Sequence, residues 1–110
     1  MGLKKYSGKV LKTTTQTDYI RSGTSKLDFT FPNKVIAAKA VHTGGYGSFG
    51  VFHDGTTSYQ SGGQSGSPSG TYGYINNLSI SSDQKTLTVS GANNGNDNYA
   101  KFTIFVMTEG

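Results

Sequence analysis

A chain of 110 residues with 16 Gly, no Cys and a formal net charge of +4 supports one compact domain with one core. The missing cysteines exclude disulfide staples, thiolate metal sites and cysteine nucleophiles together, and there is no run of 18 apolar residues to make a membrane-spanning helix. Leu, Ile, Val and Phe account for only 22 residues, so a thin core is expected in which 7 Tyr join 6 Phe as the large buried groups.

The first residues, MGLKKYSGKV, have no apolar stretch after their lysines, so no signal peptide is expected. Charge is uneven along the chain. Residues 1–39 hold eight Lys/Arg against two Asp, and residues 40–110 hold two Lys against four acids. Lysines spread in this way belong on solvent faces and edges of early strands, where they discourage edge pairing. A single Arg and the lack of any Lys/Arg-rich run give no footprint for nucleic acid.

Ser, Thr, Asn and Gly make up 50 residues, which favours turns and extended backbone over helix. Leu27, Phe29 and Phe31 alternate with Asp28 and Thr30, so one face of a strand is apolar, and Pro32-Asn33 ends it. Lys34–Val41 is apolar on both faces and reads as a central strand. After the turn signal Gly44-Gly45, Phe49, Val51 and His53 share a face, with Phe52 opposite, until Asp54-Gly55 closes the strand. Leu78 and Ile80 pass through five polar residues, 81–85, to Leu87 and Val89, the clearest hairpin in the chain. A turn tract, Asn93–Asn98, precedes a last strand in which Phe102, Ile104 and Val106 alternate with Lys101, Thr103, Phe105 and Met107. The pattern predicts an all-β fold, an antiparallel β-sandwich or jelly-roll of six to eight short strands in a single domain.

Between Gly55 and Gly73, Gly and Ser dominate and residues 61–70 hold no large side chain, so a long exposed loop is expected over about 55–73. Around it stand Tyr46, His53, Asp54, Tyr59, Tyr72 and Tyr74. Sugar rings present apolar faces and hydroxyl rims, and an aromatic ring beside Asp, Asn or His matches both, so these six are the candidate ligand-binding residues. Tyr59 and Tyr72 bracket the loop, with Asp54 and His53 as nearby polar groups.

Other chemistry finds little support. Only six acids are present, and Asp83 and Asp97 fall in polar turns, where Asp serves local hydrogen bonding. No G-x-S-x-G occurs, and the Gly-rich segments do not open into a helix that would cradle phosphate. A metal site would have to use His42, His53 and Asp54, but their spacing carries no ligand signature, and the histidines read as hydrogen-bonded strand-end residues. No catalytic residue, metal or cofactor is expected.

The segments Leu27-Asp-Phe-Thr-Phe-Pro-Asn-Lys-Val-Ile36, Leu78-Ser-Ile-Ser-Ser-Asp-Gln-Lys-Thr-Leu-Thr-Val89 and Tyr99-Ala-Lys-Phe-Thr-Ile-Phe-Val106, with an aromatic-Gly strand and an Asn/Gly tract between them, resemble small β-domains of bacteriophage and prophage tail proteins. A weaker similarity is to trimeric H-type lectins, β-sandwiches in which a Phe-x-x-Pro step, here Phe29–Pro32, leads to a central strand. Neither resemblance assigns a site residue. The first implies a virion structural or host-surface-binding module, located in the virion or in the host cytoplasm before lysis. Its partners would be a cell-surface glycan or another virion protein. A free-standing carbohydrate-binding lectin is the alternative. Apolar groups on both faces of 34–41 and 101–107 exceed what one thin core hides, so a homo-oligomer, with a trimer favoured, is also expected.

Overall fold

The computed structural model describes residues 11–64 and 72–110. Its strands are β1 (Leu11–Tyr19), β2 (Lys26–Thr30), β3 (Val35–His42), β4 (Ser48–His53), β5 (Ser58–Gly63), β6 (Gly73–Ile80), β7 (Thr86–Asn93) and β8 (Lys101–Glu109). A 3-10 turn over Asp97–Ala100 leads into β8. The strands form two antiparallel sheets, β1-β8-β3-β4-β5 and β2-β7-β6. The protein is therefore an eight-stranded β-sandwich, as the alternating sequence predicts. β1 pairs with β8 and β2 with β7, nested as in a jelly-roll, whereas β3, β4 and β5 continue as a meander.

Alternation places the core. Phe102, Ile104 and Val106 of β8 face Leu78 of β6 and Leu87 and Val89 of β7, and none of the six is more than 2% exposed. Phe29 of β2 meets Phe102 of β8 edge-on, at 6.1 Å between centroids and 89° between planes, and so joins the two sheets. The strand expected to be central, β3, is the third of the five in its sheet. The hairpin expected from Leu78 to Val89 is β6–β7. Its five-residue turn is fixed by Gln84, which adopts a left-handed φ of 63° and sends its buried Nε2 to the carbonyl of Val35.

A bulge between Ile75 and Asn77 lets β6 bury Gly73 and Ile75 on one side of it and Leu78 and Ile80 on the other, although these pairs differ in parity. The outer face of the large sheet carries Phe52, Tyr59 and Phe105, between 43% and 55% exposed, beside the half-buried Ala37, Val41 and Met107. These are the second-face apolar groups noted in the sequence. Lys12 and Lys26 lie on the edge strands β1 and β2, and Lys39 on the outer face of β3, all exposed.

The expected loop over 55–73 is corrected. Ser58–Gly63 is strand β5, paired with β4 from His53↔Ser58 to Ser48↔Gly63. Every β5 residue is exposed, so side-chain burial leaves no trace in the sequence, and the strand is held by its main-chain ladder to β4 and by Gln60, whose Nε2 donates to the Leu78 carbonyl and, at 3.1 Å, to Asn77 Oδ1 of β6. What remains of the loop, 65–71, lies outside the described residues. Likewise β1, Thr-rich and exposed over most of its length, shows no apolar alternation and is held through its ladder to β8. No helix among the described residues is long and apolar enough to cross a membrane.

Candidate functional site

The turn from β3 to β4 is built around a histidine. His42 is the last residue of β3 and is 4% exposed. Its Nδ1 accepts the backbone N–H of Gly44 at 3.0 Å and of Tyr46 at 3.1 Å, while Nε2–H donates to the carbonyl of Tyr99 at 2.6 Å. These partners assign one neutral tautomer and occupy both nitrogens, leaving no lone pair for a metal. The same turn needs Gly47. Its φ is +128°, and a Cβ there would lie 2.5 Å from the carbonyl oxygen of Ile75. That close approach lets Ile75 N–H reach the Tyr46 carbonyl at 3.2 Å, tying the turn to the other sheet.

The opposite wall comes from the start of β6 and the 3-10 turn. Tyr72 N–H donates to Asn94 Oδ1 at 2.5 Å and Asn94 N–H to the Tyr72 carbonyl at 3.0 Å, a reciprocal pair that fixes Tyr72. The Tyr72 and Tyr74 rings stack at 5.6 Å and 24°. Gly73 lies against the backbone of Tyr99 and Ala100, where a Cβ would come within 2.4 Å of the Tyr99 carbonyl carbon. Between these walls is a cavity of about 270 Å³ lined by Tyr46, Tyr72, Tyr99, Asn98 and His42, with Gly44 and Gly73. Three tyrosines and an asparagine around a space just below the roughly 300–1,000 Å³ of drug-sized sites suit one ring-shaped, partly polar ligand.

At the other end of β4 the chain repeats the histidine device in a different setting. His53 ends β4, and its Nδ1 accepts the N–H of Gly55 at 3.0 Å. Asp54 Oδ1 accepts the N–H groups of Thr56 and Thr57, both at 2.8 Å, and Oδ2 accepts the Tyr59 hydroxyl at 3.1 Å. The Thr57 and then the Thr56 amide hold the Asp54 carboxyl below its ordinary range, with Tyr59 and His53 adding to them. Donating to that carboxylate pushes the Tyr59 hydroxyl up. Tyr59 also stacks on Phe52, its cross-strand partner, at 6.3 Å and 26°. The polar groups of this hairpin are engaged with one another.

The six sequence candidates therefore fall into two groups. Tyr46 and Tyr72 meet in the cavity, with Tyr74 stacked on Tyr72. His53, Asp54 and Tyr59 lie at the far end of β4, six residues or roughly 17 Å of extended chain away. Tyr59 and Tyr72 do not bracket a common site, because β5 carries the chain from the hairpin end back to the cavity end. Asn98 and Tyr99 are not among the sequence candidates, whereas His42 is the hydrogen-bonded strand-end histidine that the sequence predicts. Asn98 sits in a tract whose composition signals only a turn. For His42 a signal exists: both histidines stand at a strand end two residues before a glycine, as His42-Thr-Gly44 and His53-Asp-Gly55. No group of three or more His, Cys, Asp or Glu able to hold a metal occurs among the described residues. In comparisons with known proteins, the chain matches no family model, no curated protein and no solved structure.

Proposed function

We propose that this chain is a non-enzymatic binding domain of a bacteriophage or prophage tail that receives a sugar ring of a host-surface glycan in the Tyr46–Tyr72–Tyr99 cavity. The observation that carries the reading is the cavity lining, in which Tyr46, Tyr72 and Tyr99 are the residue type that suits the apolar face of a sugar and Asn98 the type that suits its polar rim. The non-enzymatic part is supported by the acids nearest to chemistry. Asp54 and Asp83 are committed to turn hydrogen bonds rather than set opposite a second carboxylate. The tail setting rests on the sequence resemblance, and the same cavity would serve a free-standing lectin. Neighbouring tail and lysis genes separate the two.

Glycan-array binding by the isolated chain tests the cavity. Replacing Tyr46 and Tyr72 together by Ala removes two aromatic contacts worth about 0.5–1.5 kcal/mol each beyond area burial, a loss of roughly five-fold to over a hundred-fold in affinity. Tyr59→Ala, at the other end of β4, leaves binding unchanged. Binding that survives the double substitution in a folded protein overturns the assignment.

A further inference from the structure

β1 is an edge strand out of proportion to its support. It is nine residues long, and among the described residues its only strand partner is β8. The small sheet does not extend under it. Phe29 of β2 packs on Phe102 of β8, and β8 is the last strand on that side with a fully buried inner row, Phe102, Ile104, Val106 and Thr108. Beyond it, Lys12 and Gln16 on the inner row of β1 are exposed and Thr14 and Asp18 half-buried, while on the outer row Leu11, Thr13, Thr15 and Thr17 are exposed and Tyr19 half-buried. Ordering nine residues against one ladder, with none buried and six of the nine exposed, calls for a second ladder.

The sequence of β1 carries the chemistry for one. Read antiparallel to itself about Thr15, Leu11–Tyr19 is self-complementary at every position. Leu11 falls opposite the partner's Tyr19, Lys12 opposite the partner's Asp18, Thr13 opposite the partner's Thr17 and Thr14 opposite the partner's Gln16. Each pair is of a kind that stabilises adjacent strands, namely apolar on aromatic, opposite charges, hydroxyl on hydroxyl and hydroxyl on amide. The hydroxyl pairing already occurs on the other side of the strand, where Thr17 Oγ1 lies 3.0 Å from Thr103 Oγ1. A slip of two residues either way removes both Lys12–Asp18 pairs, and an in-register parallel arrangement sets Lys12 against Lys12. The charges that guard this edge against other strands thus admit a single register.

We propose that β1 is the interface between two copies of this chain, joined antiparallel about Thr15 so that the two five-stranded sheets become one sheet of ten strands. The contact is two-fold and uses each β1 edge once, so it closes at two copies instead of the three expected from the apolar faces.

Light scattering on the full chain, with Lys12→Asp, Asp18→Lys and the double exchange, tests this. The wild-type chain is expected near 23 kDa, twice its 11.6 kDa, at high concentration. Each single substitution sets like charges opposite one another at two symmetry-related places and raises the dissociation constant about ten-fold or more. The double exchange restores it. An equimolar mixture of the two single variants associates better than either alone, since the two acids at 12 and 18 of one variant then meet the two lysines at 18 and 12 of the other, and recovery in that mixture also shows that both variants fold. If one single variant fails to fold by circular dichroism, the double exchange decides. A wild-type chain that stays at 11.6 kDa at about 1 mM overturns the proposal. An oligomer of any size whose affinity ignores both charge reversals also overturns it and moves the contact to the outer face around Phe52 and Phe105.

Discussion

The two ends of β4 are made with the same local device and reach opposite results. Each preceding strand ends in a histidine whose Nδ1 accepts the N–H two residues on, Gly44 in one case and Gly55 in the other. At the β3–β4 turn the second ring nitrogen of His42 crosses to Tyr99, and the turn's own Tyr46 carbonyl is tied to Ile75 of the other sheet. The turn becomes one wall of a cavity. At the β4–β5 turn the second acceptor is a local carboxylate, Asp54, and every bond closes within residues 53–59. A turn whose hydrogen bonds reach across the sandwich creates a concave site, whereas one whose bonds are satisfied locally leaves only a stable surface corner.

Substitution of the two histidines puts this contrast to its strongest test. His42→Ala leaves the Gly44 and Tyr46 amides and the Tyr99 carbonyl without their partner in a part-buried place, and it is expected to cost about 2–4 kcal/mol. His53→Ala removes one such bond and is expected to cost about 1–2 kcal/mol. Chemical denaturation measures both, and equal losses would show that the His42 bonds to Tyr46 and Tyr99 add nothing to the turn. His42→Ala should also abolish ligand binding at the cavity, while His53→Ala leaves it intact.

Gly73→Ala acts on the cavity from the opposite wall. The new Cβ would come within 2.4 Å of Tyr99 C and 2.6 Å of Ala100 N, backbone atoms that cannot swing aside. Relief requires the 3-10 turn to shift, at a cost of about 1–3 kcal/mol. The expected result is a lowered unfolding midpoint together with moved Tyr99 and Asn98 resonances, and unmoved resonances at Thr56 and Tyr59. A variant as stable as the wild type would mean that the 3-10 turn is not seated on β6.

The same contrast explains what the sequence reveals. The β6–β7 hairpin is legible because Leu78, Ile80, Leu87 and Val89 alternate for a buried face. β3 is legible because Val35, Ile36, Ala38 and Ala40 leave few positions for water. β1 and β5 are hidden because their side chains are largely exposed, and the ladders that hold them are made of main-chain bonds that any residue but proline can make. The bulge at Ile75–Asn77 hides the first half of β6, since parity changes in mid-strand and Ile75 falls out of phase with Leu78. Of the cavity, Tyr46 and Tyr72 are visible as tyrosines flanking Gly-rich chain. Asn98 and Tyr99 come from a segment some 26 residues further on, brought in by the bonds of Asn94 to Tyr72 and of Tyr99 to His42, and no local pattern carries that information.

The smallest expected effect separates the two turns by pH. Asp54 is held below its ordinary range by the Thr57 and Thr56 amides, and the corresponding acceptor in the other turn is an imidazole. A carboxyl whose folded pKa is depressed contributes stability that is fully present above its unfolded value, about 3.9, and that is lost as pH falls through the folded value. The β4–β5 turn should therefore hold unchanged down to about pH 4 and loosen below it. The Thr56 and Thr57 amide resonances are expected to titrate together with a midpoint below 3.9, the ordinary aspartate value. Asp54→Asn keeps an oxygen that accepts both amides but cannot titrate, so in that variant the shared titration disappears while the turn persists. Because Asp54 is only partly buried, solvent screens its bonds, and the change in global stability should be slight even where the local resonances move. Amides that titrate at or above the ordinary aspartate value, or that still titrate together in Asp54→Asn, would show that the carboxylate does not organise this turn, and the contrast between the two ends of β4 would then rest on the histidines alone.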